Sequence, residues 1–245
     1  MKNRNSEFLR RWPKAPKVVF FASPNSFSTE LIQRFSVDMG VPVFSMDQIM
    51  SNVQQFAGRS EEWNHPFFLR VRDMLNAGDH DQLVKDKVAL KLLRLTNTSR
   101  EGFILTDFPR VVQEAEMLEE YRGGMNSFVH LSLPDDVMVA VEENKLACNH
   151  CGRNYYPESI VSQDQGIHIE SFAPEDGHCF DCGSRDISYA GNPTEFPEAL
   201  KQYKTQRDNL LGFYDHLGLL VDFELKHGYE DYERLKDQIQ FNIKH

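Results

Sequence analysis

No apolar run in this sequence approaches the roughly 20 residues that a membrane-crossing helix needs, so no membrane-embedded role is expected. Positive charge is also in short supply. Twenty-seven Lys and Arg face 37 Asp and Glu, for a net charge of −10 and a pI of about 5.4. Without a local basic patch, that balance argues against a broad electrostatic grip on nucleic acid. Cysteine is limited to four residues, in the pairs Cys148-x-x-Cys151 and Cys179-x-x-Cys182 with none left over. A disulfide framework is therefore not expected, and in an intracellular protein such pairs point to a metal.

The N-terminal segment does carry basic residues: Lys2, Arg4, Arg10, Arg11, Lys14 and Lys17 against Glu7. It faintly resembles an organelle-targeting peptide but reads preferably as a solvated basic arm over 1–16. The first strand begins at Lys17, which leaves little room for a cleaved leader. A cytoplasmic chain is the expectation.

What is present is organised around Lys17 to Glu30. Val18 to Phe21 is a buried-strand run, followed by turn formers and then Leu31, Ile32 and Phe35 at helical spacing. Strand, tight loop and helix in this order make the turn where a parallel α/β protein binds nucleotide phosphate, because unpaired helix N–H groups converge there. A working loop of this kind reads G-x-x-x-x-G-K-[ST]. The loop here is Ala22, Ser23, Pro24, Asn25, Ser26, Phe27, Ser28 and Thr29, with Ala22 and Phe27 at the glycine positions and Ser28 at the lysine position. The layout is that of a phosphate-binding turn, without the groups that hold phosphate. Phe27 is expected to put its ring into the phosphate space and to resist the positive φ that the wrap requires. Glu30 would bring like charge beside a phosphate.

Along the chain, helices are predicted over Asp47 to Val53, Phe67 to Asn76, Leu83 to Leu95, a stretch ending at Tyr121, a stretch capped by Pro134-Asp135-Asp136 and running to Lys145, Glu195 to Leu217 and Tyr229 to Ile239. Strands are predicted at Val41 to Phe44, Phe103 to Leu105, Phe128 to Leu133 and Leu219 to Phe223. Alternation of this kind argues a parallel sheet covered on both faces. The cysteine segment, Ala147 to Tyr189, reads as a small ribbon on a zinc ion held by Cys148, Cys151, Cys179 and Cys182, with Gly152 and Gly183 after each second cysteine. His150, His168 and His178 read as bystanders. Trp63 with Phe67 and Phe68 reads as a partner-binding patch or, preferably, as partly buried packing.

Five stretches recur in one order: Val18 to Gly40 with Pro42; Leu83-Val84-Lys85-Asp86; Gly102 to Leu105 leading into Phe108-Pro109-Arg110; Leu133-Pro134-Asp135-Asp136 before Cys148-x-x-Cys151-Gly152-Arg153; and Tyr203 to Val221. In these the chain resembles the adenylate kinases, in the long form with a zinc-bearing lid. The resemblance implies an α/β fold with a parallel five-stranded sheet. The core would be 17–44, 79–145 and 190–245, with a monophosphate-binding insert at 45–78 and the lid at 146–189. The 27 residues between the cysteine pairs exceed the family spacing, so an extra loop is expected around Gln163 to Asp176.

Phosphoryl transfer in this family rests on positioning and on cations. The resemblance places the phosphate-loop lysine on Ser28, the monophosphate-site arginine on Ser51, and the lid-hinge arginines on Val141 and Lys145. The lid-closing arginines fall near Tyr189 and Ala199, the acidic metal position on Thr106, and the adenine-reading glutamine on Glu114 beside Gln113. Of the cationic positions only Arg110 and Lys145 keep a charge, and they read as vestigial catalytic residues. Losing one such charge commonly costs about 10²-fold in rate.

The expectation is a catalytically inactive adenylate-kinase-like protein that binds other proteins as a structural or adaptor subunit, with the ciliary or flagellar axoneme as one candidate assembly. Structural zinc is implied, and ATP and AMP binding are left in doubt. Two rivals stand beside it. One is an active kinase whose lysine comes from Lys17, Lys85 or Lys145, and the other a nucleotide sensor using Arg110.

Overall fold

The computed structural model describes residues 16–59, 61, 64–78, 91, 102–120 and 124–243. The basic arm up to Ala15, Trp63 and nearly all of the helix predicted over Leu83 to Leu95 lie outside the described residues. Five strands make one parallel sheet: β1 (Lys17–Ala22), β2 (Val43–Ser45), β3 (Phe103–Thr106), β4 (Ser127–Ser132) and β10 (Leu220–Glu224), in the order β10-β4-β1-β3-β2. The central strands are apolar without alternation; Val18, Val19, Phe20, Ile104, Phe128 and Val129 are all buried. Helices covering both faces of a parallel sheet require this pattern.

The helices are α1 (Ser28–Met39), α2 (Met46–Phe56), α3 (Pro66–Ala77), α4 (Val112–Glu119), α5 (Asp135–Asn144), α6 (Phe196–His216) and α7 (Tyr232–Ile243). On α1 the apolar stripe Leu31, Ile32, Phe35 and Met39 is buried against the sheet. Two corrections to the sequence reading follow. The terminal helix was predicted from Tyr229, but Gly228–Asp231 is a 3₁₀ turn and α7 starts at Tyr232. The acidic pair at the start of α5 was predicted to cap it, yet no side chain caps that end. Asp135 instead pairs with Lys204, and Asp136 accepts Gln165 Nε2 at 3.1 Å. Both carboxylates still complement the helix dipole from the first turn.

Between α5 and α6 lies the cysteine segment. Strands β5 (Leu146–Cys148), β6 (Asn154–Tyr155) and β9 (Ile187–Tyr189) form an antiparallel sheet in the order β6-β5-β9. A hairpin, β7 (Ile160–Ser162) with β8 (Ile167–Ile169), begins before the extra loop expected around Gln163 to Asp176 and runs into it. This hairpin is fastened to the core: Ile167 and Ile169 are buried in the same apolar cluster as Val18, Phe35, Val221 and Leu225. His168 N also donates to Lys226 O at 2.8 Å. A second cluster, on the opposite face of the sheet, is built by α2, α3, α4 and α6.

Candidate functional site: the loop after the first strand

The sheet brings the loop Ala22–Phe27 to the C-terminal end of β1, where Ser23 N donates to Leu131 O of β4 at 2.8 Å. Asn25 and Phe27 both adopt the left-handed region, at φ 59° and 54°. Asn tolerates that conformation because its short polar side chain finds local partners. Here Asn25 Nδ2 donates to Met138 O at 3.1 Å and to Glu142 Oε2 at 2.9 Å. For Phe27 the conformation costs about 1–2 kcal/mol, which surrounding packing must offset. The expectation that Phe27 would resist positive φ is thus corrected: the wrapped backbone is kept and the strain is borne.

The ring of Phe27 fills the space between the loop and the cysteine segment that packs on it. It does not enter the cleft on the monophosphate side. It is buried at 3% exposure, edge-on to Tyr156 at 4.7 Å and to Tyr229 at 5.3 Å. Tyr229 in turn meets Phe172 at 4.7 Å. Gly228 lets this pile close, since it sits at φ +61° and a Cβ there would stand 3.1 Å from Ile169 Cγ2. Two of these aromatics, Tyr156 and Phe172, belong to the cysteine segment, so the loop and the segment above it share one packed interior.

An ion pair reinforces the contact. Glu30, in the first turn of α1, accepts from Arg153 at 3.1 Å, and Arg153 also reaches Asp181 at 3.0 Å. The Arg153 guanidinium lies over the Phe172 ring at 5.2 Å and is only 15% exposed. Burial pushes the Glu30 carboxyl above its usual range, with Arg153 pulling the other way.

Lys145, expected at a lid-hinge position, is half-buried and pairs with Glu142 at 3.6 Å. Glu142 is 6% exposed, and besides Lys145 and Asn25 it receives Asn192 N at 2.7 Å. That lysine neutralises a buried carboxylate. Lys17 lies at the opposite end of β1 from the loop and donates to Gly124 O at 3.1 Å. Lys85 falls outside the described residues.

The other side of the loop is open. A cleft of about 700 Å³ is lined by Ser28, Thr29, Thr106, Asp107, Arg110 and Gln206, among others. Arg110 lies 3.8 Å from Glu114, whose Oε2 also accepts Arg110 N at 2.6 Å; Glu114 is buried. Ser51 and Ala199 are exposed on α2 and α6, Tyr189 is exposed on β9, and Val141 is in the core. Gln113 faces solvent.

The four cysteines converge. Their Sγ atoms all lie within 4.8 Å of one another, with Cys148–Cys182 at 3.6 Å and Cys151–Cys179 at 3.4 Å. A tetrahedral zinc with thiolates at about 2.3 Å needs sulfurs about 3.8 Å apart, so this donor set fits zinc. Each pair sits on a tight turn, with Gly152 N bonded to Cys148 O and Gly183 N to Cys179 O at 2.8 and 2.9 Å. Tyr155 Oη donates to Cys179 Sγ at 3.1 Å. Burial opposes ionisation of Cys179, but this and neighbouring hydrogen bonds hold its thiol at about 6. Among the described residues, no histidine joins the cluster.

No family model matches the chain. Adenylate kinase from Solanum tuberosum is 29% identical over 229 residues, covering 88% of this chain and 74% of that protein. Adenylate kinase from Methanosarcina barkeri is 24% identical over 238 residues, 93% of this chain and 98% of its own. That from Methanosarcina acetivorans is 31% identical over 155 residues, covering 60% and 66%.

The chain belongs to the adenylate kinase family.

The cysteine segment is the one expected as a lid, and the loop after β1 the one expected at the phosphate position. In this member the lid is seated on that loop through Phe27, Tyr156, Phe172 and Tyr229. Sequence reasoning missed Tyr229, Ile167 and Ile169 as parts of the site. The available signal was the apolar alternation Ile167-x-Ile169, set within a segment longer than the family's usual spacing.

Proposed function

We propose that this adenylate kinase homologue is catalytically inactive and serves as a structural or adaptor subunit that binds other proteins. The observation that carries the reading is the continuous buried cluster joining lid to core. Phe27 and Tyr229 of the core and Tyr156 of the lid meet edge-on where the lid covers the phosphate loop. Transfer needs a lid that opens to admit substrate and closes over it. Here the lid is packed down on side chains, and the pair Glu30–Arg153 occupies charges that would otherwise face phosphate.

The cations support the same reading. Ser28 replaces the loop lysine, Lys145 is held by Glu142, and Lys17 is at the wrong end of β1. Structural zinc in the four-cysteine cluster would fasten a small subdomain that has little core of its own. An extended assembly such as an axoneme would use such a rigid unit for its shape and surfaces.

A coupled assay with ATP and AMP tests the loss of catalysis. The expected result is no turnover above background. Turnover of about 10–10³ s⁻¹, typical of enzymes, would contradict it.

A second reading is favoured by one observation, the open cleft beside Arg110. A nucleotide bound there without transfer would stabilise the fold by mass action. AMP raising the unfolding temperature in proportion to log concentration, with Arg110→Ala removing the shift, would favour this sensor role. An unchanged unfolding temperature at millimolar AMP leaves the subunit reading in place.

A further inference from the structure

The chain enters and leaves the cysteine segment by two connections, and both are bonded to one buried carboxylate. Lys145, directly after α5, leads out into β5, while Ala190, Gly191 and Asn192 lead back from β9 towards α6. Glu142 stands in the last turn of α5 and is 6% exposed. Its Oε1 accepts from Asn192 N at 2.7 Å. Its Oε2 accepts from Asn25 Nδ2 at 2.9 Å and lies 3.6 Å from Lys145 Nζ. The donors thus come from the returning connection, the loop after β1 and the outgoing connection.

The surroundings are closely fitted. Ala190 N donates to Lys145 O at 2.9 Å, so the two connections are also bonded to each other. At Gly191 an added Cβ would stand 2.1 Å from Glu142 O and 2.6 Å from Tyr189 Oη, so the returning connection presses on the backbone of α5 where only glycine fits. Asn25 is held to the same helix twice, because its Nδ2 also donates to Met138 O at 3.1 Å.

The chemistry of a buried carboxylate makes these contacts act together. Near the C-terminal end of a helix, Glu142 meets the negative end of the dipole, so its position gains nothing from α5 itself. A buried charge is stable only while a counter-charge and hydrogen bonds compensate it. Hydrogen bonds to a charged acceptor are also about twice as strong as neutral ones. Lifting the cysteine segment would draw Asn192 or Lys145 away and leave that charge short of partners.

We propose that Glu142 is a lock that ties the loop after β1 to both connections of the cysteine segment. Through it, the segment cannot lift from the core without weakening the hold on Asn25, and the loop cannot rearrange without loosening the connections. This restraint shares no residue with the aromatic contact of Phe27, Tyr156 and Tyr229, so the segment is held down at two separate places. The lock rests on the seated segment that carries the proposed function. It is read by local opening and the proposed function by turnover, so either can fail while the other stands.

Hydrogen exchange of the whole zinc-loaded chain, followed amide by amide, tests it. Glu142→Ala should speed exchange of the Asn192 amide and of the amides of 146–148 by about tenfold or more, the loss expected for hydrogen bonds to a charged group. The amides of β4 (Ser127–Ser132) should keep the parent rate. Asn25→Gly is the milder variant and decides the matter if Glu142→Ala does not fold, since it suits the left-handed backbone at φ 59° and removes only the side chain. It too should speed the Asn192 amide, although the bonds of the Asn25 side chain are to Met138 and Glu142. An Asn192 amide unchanged in either folded variant would overturn the lock. So would exchange that rises equally in β4, because the carboxylate would then stabilise the fold as a whole and not the connections.

Discussion

Two residues decide how the loop and lid meet. Phe27 carries backbone strain of about 1–2 kcal/mol, while a buried Phe contributes about 3–5 kcal/mol relative to Ala, so packing outweighs strain. Phe27→Gly should therefore destabilise the protein by about 2 kcal/mol, read as a lower midpoint in urea unfolding, even though it relieves the left-handed φ. Unchanged or raised stability would show that the ring is not the anchor we describe. Arg153 is the second. Its removal leaves Glu30 in a site only 20% exposed and without its cation, so Arg153→Ala should cost about 1–3 kcal/mol by the same measurement. The sequence displayed the loss of glycine and lysine in the loop but not the use of Phe27. A residue's identity does not say which side of a turn its ring takes, and that depended on Tyr156 and Tyr229, far away in the chain.

Among the elements, α1 and α7 are fastened by Asp38, which accepts from Lys236 Nζ at 2.6 Å and Tyr232 Oη at 2.7 Å. Burial works against its charge, but these hydrogen bonds prevail and hold its carboxyl below the ordinary range. A lowered folded-state value means that the stabilisation is present above the unfolded value of about 3.9 and is lost as pH falls through the folded one. Asp38 is partly exposed, so screening limits its worth to about 1 kcal/mol. Asp38→Asn should lose that amount at neutral pH, and the gap to the parent protein should close as acid unfolding is approached. A gap that stays constant in acid would contradict the assignment.

Element order was legible because period-3.6 stripes and unbroken apolar strands report burial directly. The first turn of α7 was not legible, since Tyr229 is drawn out of helical register to pack on Phe27. The cap of α5 misled for a similar reason: acidic residues at a helix start suit both a cap and the dipole, and tertiary partners chose the dipole.

At the scale of the whole molecule, the lid has two attachments that differ in kind. The cysteine cluster holds the ribbon of β5, β6 and β9, whereas Ile167 and Ile169 hold the β7–β8 hairpin to the core. Chelation of bound zinc should therefore expose amides over 146–155 and 177–189 to hydrogen exchange while 160–169 stays protected. Loss of protection across the whole segment would mean that the hairpin has no independent hold. The family could be read from motif order and the cysteine cluster from the two C-x-x-C pairs. The seated lid could not, because it is a contact between segments more than a hundred residues apart, Phe27 with Tyr156 and with Tyr229.

The claim at the centre of this account is that side chains fill the space between lid and phosphate loop that ATP would need. Isothermal titration of the intact, zinc-loaded protein with ATP and magnesium measures that directly. The account predicts no binding heat at millimolar ligand, corresponding to an affinity weaker than about −4 kcal/mol. A saturable isotherm with a Kd in the micromolar range would contradict it.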